Sequence, residues 1–323
     1  MADQQRSVLV INDGPMAFLP DLRQAIPTCT FDVCRDGEDV PQALERVQPE
    51  IVFGLHGGRF PAFSHTAALD FPSVKWMHNG GAGIDHLPPW NPDQILVTNS
   101  AGVSSGFMAE TVTGAILMMN FGFPQYFRQQ QAHVWEKRPW TSLSSKTALI
   151  IGLGGIGSRV AERLSMFGAH VIGARKSSRP CDQVDEQILM DEVPDALPRA
   201  DYVCIHVPNT DETQNMVDAA FLARMKPEAV LVNTARGAQV DEAALIIALQ
   251  NKSIGGAYLD VFREEPLAPD SQFWDLPNVI ITPHHSDAAQ GWEIASARFF
   301  RKNLNRYLAK QQPENICDPQ SGY

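Results

Sequence analysis

The sequence predicts an α/β protein built from two doubly wound parallel-sheet domains, and three observations predict it. Short apolar runs alternate with helical stretches along most of the chain. The runs are apolar on consecutive residues, as strands buried on both faces of a parallel sheet are, and not on every second residue. The length, 323 residues, corresponds to about two domains at roughly 150 residues each.

In the first hundred residues, SVLVI (7–11) is the first expected strand and VPQALERVQ (40–48) an amphipathic helix. EIVFGL (50–55), VKWMHN (74–79) and ILVTN (95–99) follow as strands, each ending in polar or glycine residues. A long helical pattern covers 105–121, and a polar, aromatic segment, YFRQQQAHVWEKRPW, covers 126–140. Six further strands are expected at 147–152, 170–174, 202–207, 229–234, 256–261 and 278–283. Helical stretches such as SRVAERLSMFG and DEAALIIALQ separate most of them, the rhythm of a doubly wound domain. A last helical pattern, 288–310, lies beyond the sixth strand and could cross back to the first domain, making that domain discontinuous.

Composition narrows the class. Hydrophobic residues make up 44% and the formal net charge is −11, which disfavours nucleic acid and anionic membrane as partners. Five cysteines without a Cys-x-x-Cys pair fit free thiols in a reducing compartment better than a disulfide framework or a zinc site. The opening MADQQRSVLVIND has too short an apolar run for a signal-peptide core, and no stretch reaches the roughly 18 apolar residues of a membrane span. A cytoplasmic protein with no metal site is the expectation.

Gly152, Gly154 and Gly157 occupy a G-x-G-x-x-G turn after the strand ALII, with Gly155 and Ile156 between them at the start of a helix. In such a turn the first glycine permits the tight bend and the second lets the backbone approach a pyrophosphate. The third allows close helix–strand packing, and the helix N-terminus supplies amide donors. The following strand, HVIGA, runs into Arg175, Lys176, Ser177, Ser178 and Arg179, where an NAD site usually carries an acid for the ribose 2′-hydroxyl. Cations and hydroxyls there suit a 2′-phosphate, so NADP(H) is the preferred cofactor and NAD(H) the alternative. A solvated charge run is the competing explanation of the same residues.

Three polar residues sit where strands stop: Arg236 after AVLVNTA, Glu265 after GAYLDVFRE and His284 after NVIITP. The carboxyl ends of strands line the ligand crevice of a doubly wound sheet, so the three are candidates to converge. A 2-keto acid needs its carboxylate held and its carbonyl polarised, which an arginine fork can do. Its oxygen needs a proton as hydride arrives, which an imidazole supplies, and a neighbouring carboxylate raises that imidazole's pKa.

The set GLGGIG, NTARG (233–237), DVFREEP (260–266) and ITPHH (281–285) resembles the D-isomer-specific 2-hydroxyacid dehydrogenases over nearly the whole chain. The resemblance implies a Rossmann coenzyme domain, residues 100–287, inserted in a flavodoxin-like substrate domain of residues 1–99 plus 288–323. It implies Arg236, Glu265 and His284 as the catalytic set, with Glu264 and His285 as bystanders. Val207, Pro208, Thr234, Ala235 and Asp260 are then expected on the cofactor, Asp260 at its nicotinamide end. Gly81, Ala82 and Gly83, in GGAGIDHL, are expected to point backbone amides at the substrate carboxylate, beside Arg236 and His284. A plain turn before Ile84 is the alternative for those three. The basic residues after HVIGA, the segment QQQAHVWEKRPW, the phrase VPNTDET and the C-terminal SGY are similar to the NADPH-using glyoxylate and hydroxypyruvate reductases. His133, Trp135 and Trp292 are candidates for pocket contact or for packing, and Glu110 for a structural contact.

The activity implied is reduction of a small 2-keto acid such as glyoxylate, hydroxypyruvate or pyruvate to the D-2-hydroxy acid by NADPH. Phosphoglycerate dehydrogenase and a non-catalytic NAD(P)H-sensing protein are the alternatives. A formate dehydrogenase is disfavoured, because it would carry glutamine in place of Glu265. The family and the apolar helix around 109–119 imply a homodimer.

Overall fold

The computed structural model describes residues 5–14, 16–35, 39–55 and 64–319. The SGY tail therefore lies outside the described residues. The chain forms two compact units, Met1–Ser104 with Gln290–Tyr323 and Ser105–Ala289, so that the second interrupts the first along the sequence.

The first unit carries a five-stranded parallel sheet in the order β2-β1-β3-β4-β5. Its strands are β1 (Arg6–Ile11), β2 (Cys29–Cys34), β3 (Ile51–Gly54), β4 (Trp76–Asn79) and β5 (Leu96–Asn99), with helices α1 (Leu19–Ala25) and α2 (Val40–Val47) between them. This is the flavodoxin-like order. Alternate residues of β1 serve two cores. Leu9 and Ile11 pack with Val52, Met77 and Leu44 on one face. Val8 and Val10 pack with Phe53, Trp76 and Phe300 on the other. Phe300 belongs to the late helix α9 (Trp292–Leu308), which covers this second face.

The second unit begins with α3 (Ser105–Phe121) and α4 (Phe123–Gln131). Gly122, at φ +80°, separates them, and Pro124 opens α4. There follow β6 (Thr147–Ile151), α5 (Gly155–Met166), β7 (His170–Arg175), β8 (Glu186–Leu189), α6 (Val193–Ala196), β9 (Tyr202–Ile205) and α7 (Ala219–Arg224). β10 (Val230–Asn233), α8 (Glu242–Gln250), β11 (Gly256–Leu259) and β12 (Val279–Ile281) complete it. The sheet order is β12-β11-β10-β9-β6-β7-β8, all parallel, with the strand order reversing between β6 and β9. Ligands bind at such a reversal, outside the carboxyl ends of the strands.

The sheet has seven strands where six were expected, and β2 was also missed. Both omissions are edge strands. β2 (CTFDVC) and β8 (EQIL) have one paired neighbour each, and their partly exposed polar residues interrupt the apolar run that marks a central strand.

Candidate active site

Helix termini in the second unit differ in a way that matters. α7 and α8 are capped by Asp218 and Asp241, whose carboxylates accept the N–H groups of Phe221 and Ala244 at 2.8 and 3.1 Å. α5 has Gly154 at its N-cap and no side-chain cap. A Cβ on Gly154 would meet nothing within 4 Å, so the amides of Gly155 and Ile156 open onto free space. Gly152 (φ +103°) admits no side chain, since its Cβ would lie 2.4 Å from the His206 carbonyl oxygen. A Cβ on Gly157 would lie 1.9 Å from the carbonyl oxygen of Gly152, which ties α5 to the turn. The three glycines thus divide the tasks of bend, approach and packing.

A row of residues crosses the carboxyl edge of the sheet, one place beyond the last ladder pairs. The N–H groups of Gly152, His206, Asp260 and Thr282 still donate across the strands, to Ala174, Ile151, Asn233 and Leu259 at 2.8–3.0 Å. Arg175 ends β7 beside Gly152, and Thr234 follows β10 beside His206. Residues in parallel register project to one face, and the hydroxyl of Thr282 donates to the Asp260 carboxylate on that face. Both ring nitrogens of His206 and Oγ1 of Thr234 are buried without a hydrogen-bond partner among the described residues. Burial holds His206 neutral, its pKa lowered to about 4. Orphaned donors and acceptors of this kind beside an open helix terminus fit a polar cofactor. His206 was not singled out from the sequence; its place immediately after a strand at the sheet reversal was the only signal.

The remaining expected cofactor residues lie around this row. Val207 and Pro208 are held by Gln239, whose Nε2 donates to both carbonyls at 2.7 and 3.1 Å. Ala235 donates its N–H to Asn233 Oδ1 at 3.0 Å. Arg175 is half-buried and donates through Nη1 to the Arg179 carbonyl at 3.1 Å. Lys176 pairs with Glu212, and Ser177 is exposed.

The three strand-end residues share the second unit. Oε1 of Glu265 accepts the Phe262 N–H at 2.9 Å, and Oε2 lies 2.6 Å from Nδ1 of His284. Their side chains are 34% and 44% exposed, and Nε2 of the imidazole has no hydrogen-bond partner among the described residues. The hydrogen bond that His284 donates to Glu265 raises the His284 pKa above the usual histidine value against the opposing effects of burial and Arg236. Burial works against ionisation of Glu265, but the bonds from His284 and Phe262, with the charges of His284 and Arg236, outweigh it and lower its pKa. Arg236 is anchored beside them: its carbonyl accepts from Asn233 Nδ2 at 2.9 Å and its Nη1 donates to the Ala235 carbonyl at 2.8 Å. A cationic acid and a guanidinium at the carboxyl edge of one sheet can bind and protonate a polarised carbonyl.

Asp260 holds this arrangement together. Its side chain is fully buried, and its carboxylate accepts the N–H groups of His285 and Ser286 at 2.9 and 3.1 Å as well as the Thr282 hydroxyl. His284 itself takes φ +48° and donates its N–H to the Asp260 carbonyl at 2.8 Å. The loop is thus clamped on both sides of a left-handed residue. Asp287 also lies in the field of His284, Asp260 and Arg236. Burial raises its pKa, and no motif pointed to it.

In the first unit, the loop after β4 has every carbonyl from Gly80 to Gly83 turned inward. Ser296 Oγ donates to Gly80 at 3.1 Å, Asn79 Nδ2 to Gly81 and Gly83 at 3.2 and 2.9 Å, and Asn99 Nδ2 to Ala82 at 2.7 Å. In a trans peptide the N–H points opposite to the preceding carbonyl. The amides of Gly81, Ala82 and Gly83 therefore face away from the scaffold, and none has a partner among the described residues. Successive free amides make an anion-binding nest. Asn79 and Asn99, which shape it, were not singled out from the sequence. Trp292 packs on the core of this unit, whereas Trp135 is 94% exposed. Glu110 is exposed, 3.8 Å from Arg163.

The sequence profile described as "D-isomer specific 2-hydroxyacid dehydrogenase, NAD binding domain" matches residues 113–286. The chain belongs to that family. This dehydrogenase is 32% identical to a glyoxylate reductase of Thermofilum pendens over 76% of each chain. It is 34% identical to D-3-phosphoglycerate dehydrogenase of Mycobacterium leprae over 66% of its own length, and spans 41% of that enzyme. In structure it resembles the NADPH-dependent glyoxylate/hydroxypyruvate reductase of Sinorhizobium meliloti, solved with NADP and sulfate. The TM-score is 0.81 at 27% identity, over 98% of this chain and 100% of the other. The family's members are NAD(P)-dependent oxidoreductases, and the two parallel sheets of this dehydrogenase are theirs. Among the described residues, no helix is long and apolar enough to cross a membrane.

Proposed function

We propose that this dehydrogenase reduces a small 2-keto acid, in the class of glyoxylate, hydroxypyruvate and pyruvate, to the D-2-hydroxy acid with NADPH. The observation that carries the reading is the 2.6 Å contact between Glu265 and His284, with Arg236 beside them, in the unit that also holds the glycine turn. When bound, the nicotinamide supplies the hydride. Arg236 holds and polarises the substrate, and His284 gives its Nε2 proton to the keto oxygen. Glu265 keeps the imidazole protonated near neutral pH. The amides of Gly81, Ala82 and Gly83 take the substrate carboxylate.

The residues present fit the cofactor. Gly154, Gly155 and Ile156 offer backbone amides to a pyrophosphate, and Thr234, Ala235, Val207 and Pro208 border the path toward the strand ends. Arg175 stands where an NAD site carries an acid, which supports NADPH over NADH, as does the NADP bound by the S. meliloti reductase. Free thiols at Cys29, Cys34, Cys204 and Cys317, all buried, agree with a reducing, cytoplasmic setting. An exposed aromatic cluster of Phe121, Phe123, Phe127 and Trp140 supports a homodimer through the second unit.

NADPH oxidation followed by absorbance with a panel of 2-keto acids tests the reading. Turnover of glyoxylate, hydroxypyruvate or pyruvate is expected. Turnover confined to a phosphorylated three-carbon keto acid would move the enzyme to the phosphoglycerate class, and cofactor binding without any turnover would make it a sensor.

A further inference from the structure

Inside the first unit a buried histidine has no part in the catalytic set. His78, on β4, is completely buried among the rings of Phe53, Trp76, Phe299 and Phe300, at centroid distances of 5.5–6.2 Å. Its polar contacts are two hydroxyls: Nδ1 lies 2.6 Å from Thr98 Oγ1 and Nε2 lies 3.1 Å from Ser100 Oγ. Thr98 also accepts the indole N–H of Trp76 at 2.9 Å. Ser100 Oγ lies 2.9 Å from Ser296 Oγ, and Ser296 donates to the Gly80 carbonyl at 3.1 Å.

The two ends of this chain fix its direction. An indole N–H only donates and a carbonyl only accepts. With Ser296 donating to Gly80, Ser100 must donate to Ser296 and therefore accepts from His78 Nε2–H. His78 Nδ1 is then bare and accepts the hydroxyl proton of Thr98, which itself accepts from Trp76. Every hydroxyl gives one bond and takes one, and a single tautomer satisfies the whole chain. Burial lowers the pKa of His78 to about 3, so the ring stays neutral throughout the working range.

We infer that His78 is a positioning residue for the carboxylate-binding loop: through Ser100 and Ser296 it fixes the Gly80 carbonyl, and with that peptide plane the Gly81 amide. The inference rests on the proposed role of the Gly81–Gly83 amides. Asn79 and Asn99 hold the carbonyls of Gly81, Ala82 and Gly83, but among the described residues Ser296 alone bonds that of Gly80. The first amide of the nest thus depends on a donor set from the interior of the domain.

The test compares His78→Leu, His78→Gln, Ser296→Ala and Gly81→Asp with the parent enzyme. Steady-state kinetics with the 2-keto acid, calorimetric binding of oxamate to the NADPH complex, and NADPH affinity are measured. His78→Leu and Ser296→Ala should raise KM and the oxamate Kd about fivefold, the factor for one lost buried hydrogen bond. kcat and NADPH affinity should stay at parent values. His78→Gln, which keeps a donor near the Nε2 position, should recover most of the loss. Long-range proton–nitrogen spectra should show His78 protonated on Nε2, and an Nδ1–H ring would overturn the chain. If Gly81→Asp abolishes oxamate binding while Ser296→Ala leaves it unchanged, the relay is wrong and the carboxylate site stands. If Gly81→Asp leaves oxamate binding unchanged, the carboxylate reading itself falls. Should His78→Leu fail to fold, Ser296→Ala decides alone.

Discussion

In the proposed reaction His284 protonates the substrate at neutral pH, for which its imidazole needs a reason to hold a proton, and Glu265 supplies one. The hydrogen bond raises the pKa of His284, so the competent acid persists until the pH climbs through that raised value. Glu265→Gln removes the charge and lowers the His284 pKa. The alkaline fall in the rate of keto-acid reduction should then begin at a lower pH, and an unmoved profile counts against the pair. His284→Ala should cost about 10²–10⁴-fold in kcat, the usual worth of general acid catalysis; parent-like turnover contradicts the assignment. Arg175→Asp should exchange the cofactors, weakening NADPH and strengthening NADH in kcat/KM, since a carboxylate there repels a 2′-phosphate and accepts from a ribose hydroxyl. Residues of this kind were legible because each stands at the end of an apolar run and carries a side chain that the reaction or the cofactor calls for. His78, His206, Asn79 and Asn99 also end apolar runs, but a polar side chain that satisfies or awaits a buried partner does not show in the sequence which partner that is. Lys176 shows the opposite limit, since its partner, Glu212, lies 36 residues away in sequence.

The segment that presents His284 follows β12 and is tied to Asp260, at the end of β11, and it is kept in shape by that carboxylate and not by packing. Asp260→Ala would leave the N–H groups of His285 and Ser286 and the Thr282 hydroxyl without their acceptor. Buried polar groups left unpaired make this a loss on the order of 3 kcal/mol, or roughly 6–12 °C in the melting of a unit this size. kcat should fall with it, because His284 would no longer be held at φ +48°. A thermal scan with unchanged midpoint would mean that the loop needs no such clamp. The central strands and the glycine turn could be seen in advance because burial on two faces leaves an uninterrupted apolar run. β8 could not, with the pattern EQIL at an edge where Arg199 pairs with Glu186. The helix α4 was hidden for a related reason: Gln129 is its one buried residue, so its sequence has no apolar stripe.

At the scale of the whole molecule, the fold class followed from uninterrupted apolar runs alternating with helical stretches over a two-domain length, because a parallel sheet forces strand and crossover to alternate. The association state had no such periodicity behind it; the apolar helix that suggested it, α3, buries Ala109, Val112, Ala115 and Ile116 within its own unit. The exposed apolar surface lies from the last residue of α3 onward. Phe121, Phe123, Phe127 and Trp140 are 39%, 39%, 48% and 55% exposed, and their rings contact one another in a chain 5.2–5.7 Å from centroid to centroid. Four neighbouring aromatic side chains left about half exposed each forfeit roughly half of the ~1.5–3 kcal/mol that full burial is worth, which a partner covering them would recover. A second copy of the acidic chain must approach against a net charge of −11, so its contact has to be apolar and local, and added salt should favour it. Light scattering is expected to give twice the chain mass, with Phe123→Glu and Phe127→Glu together giving the single chain and the second unit still folded by near-ultraviolet dichroism. A monomer in the parent protein at every salt concentration would leave the cluster as a surface feature and remove the dimer from the proposal.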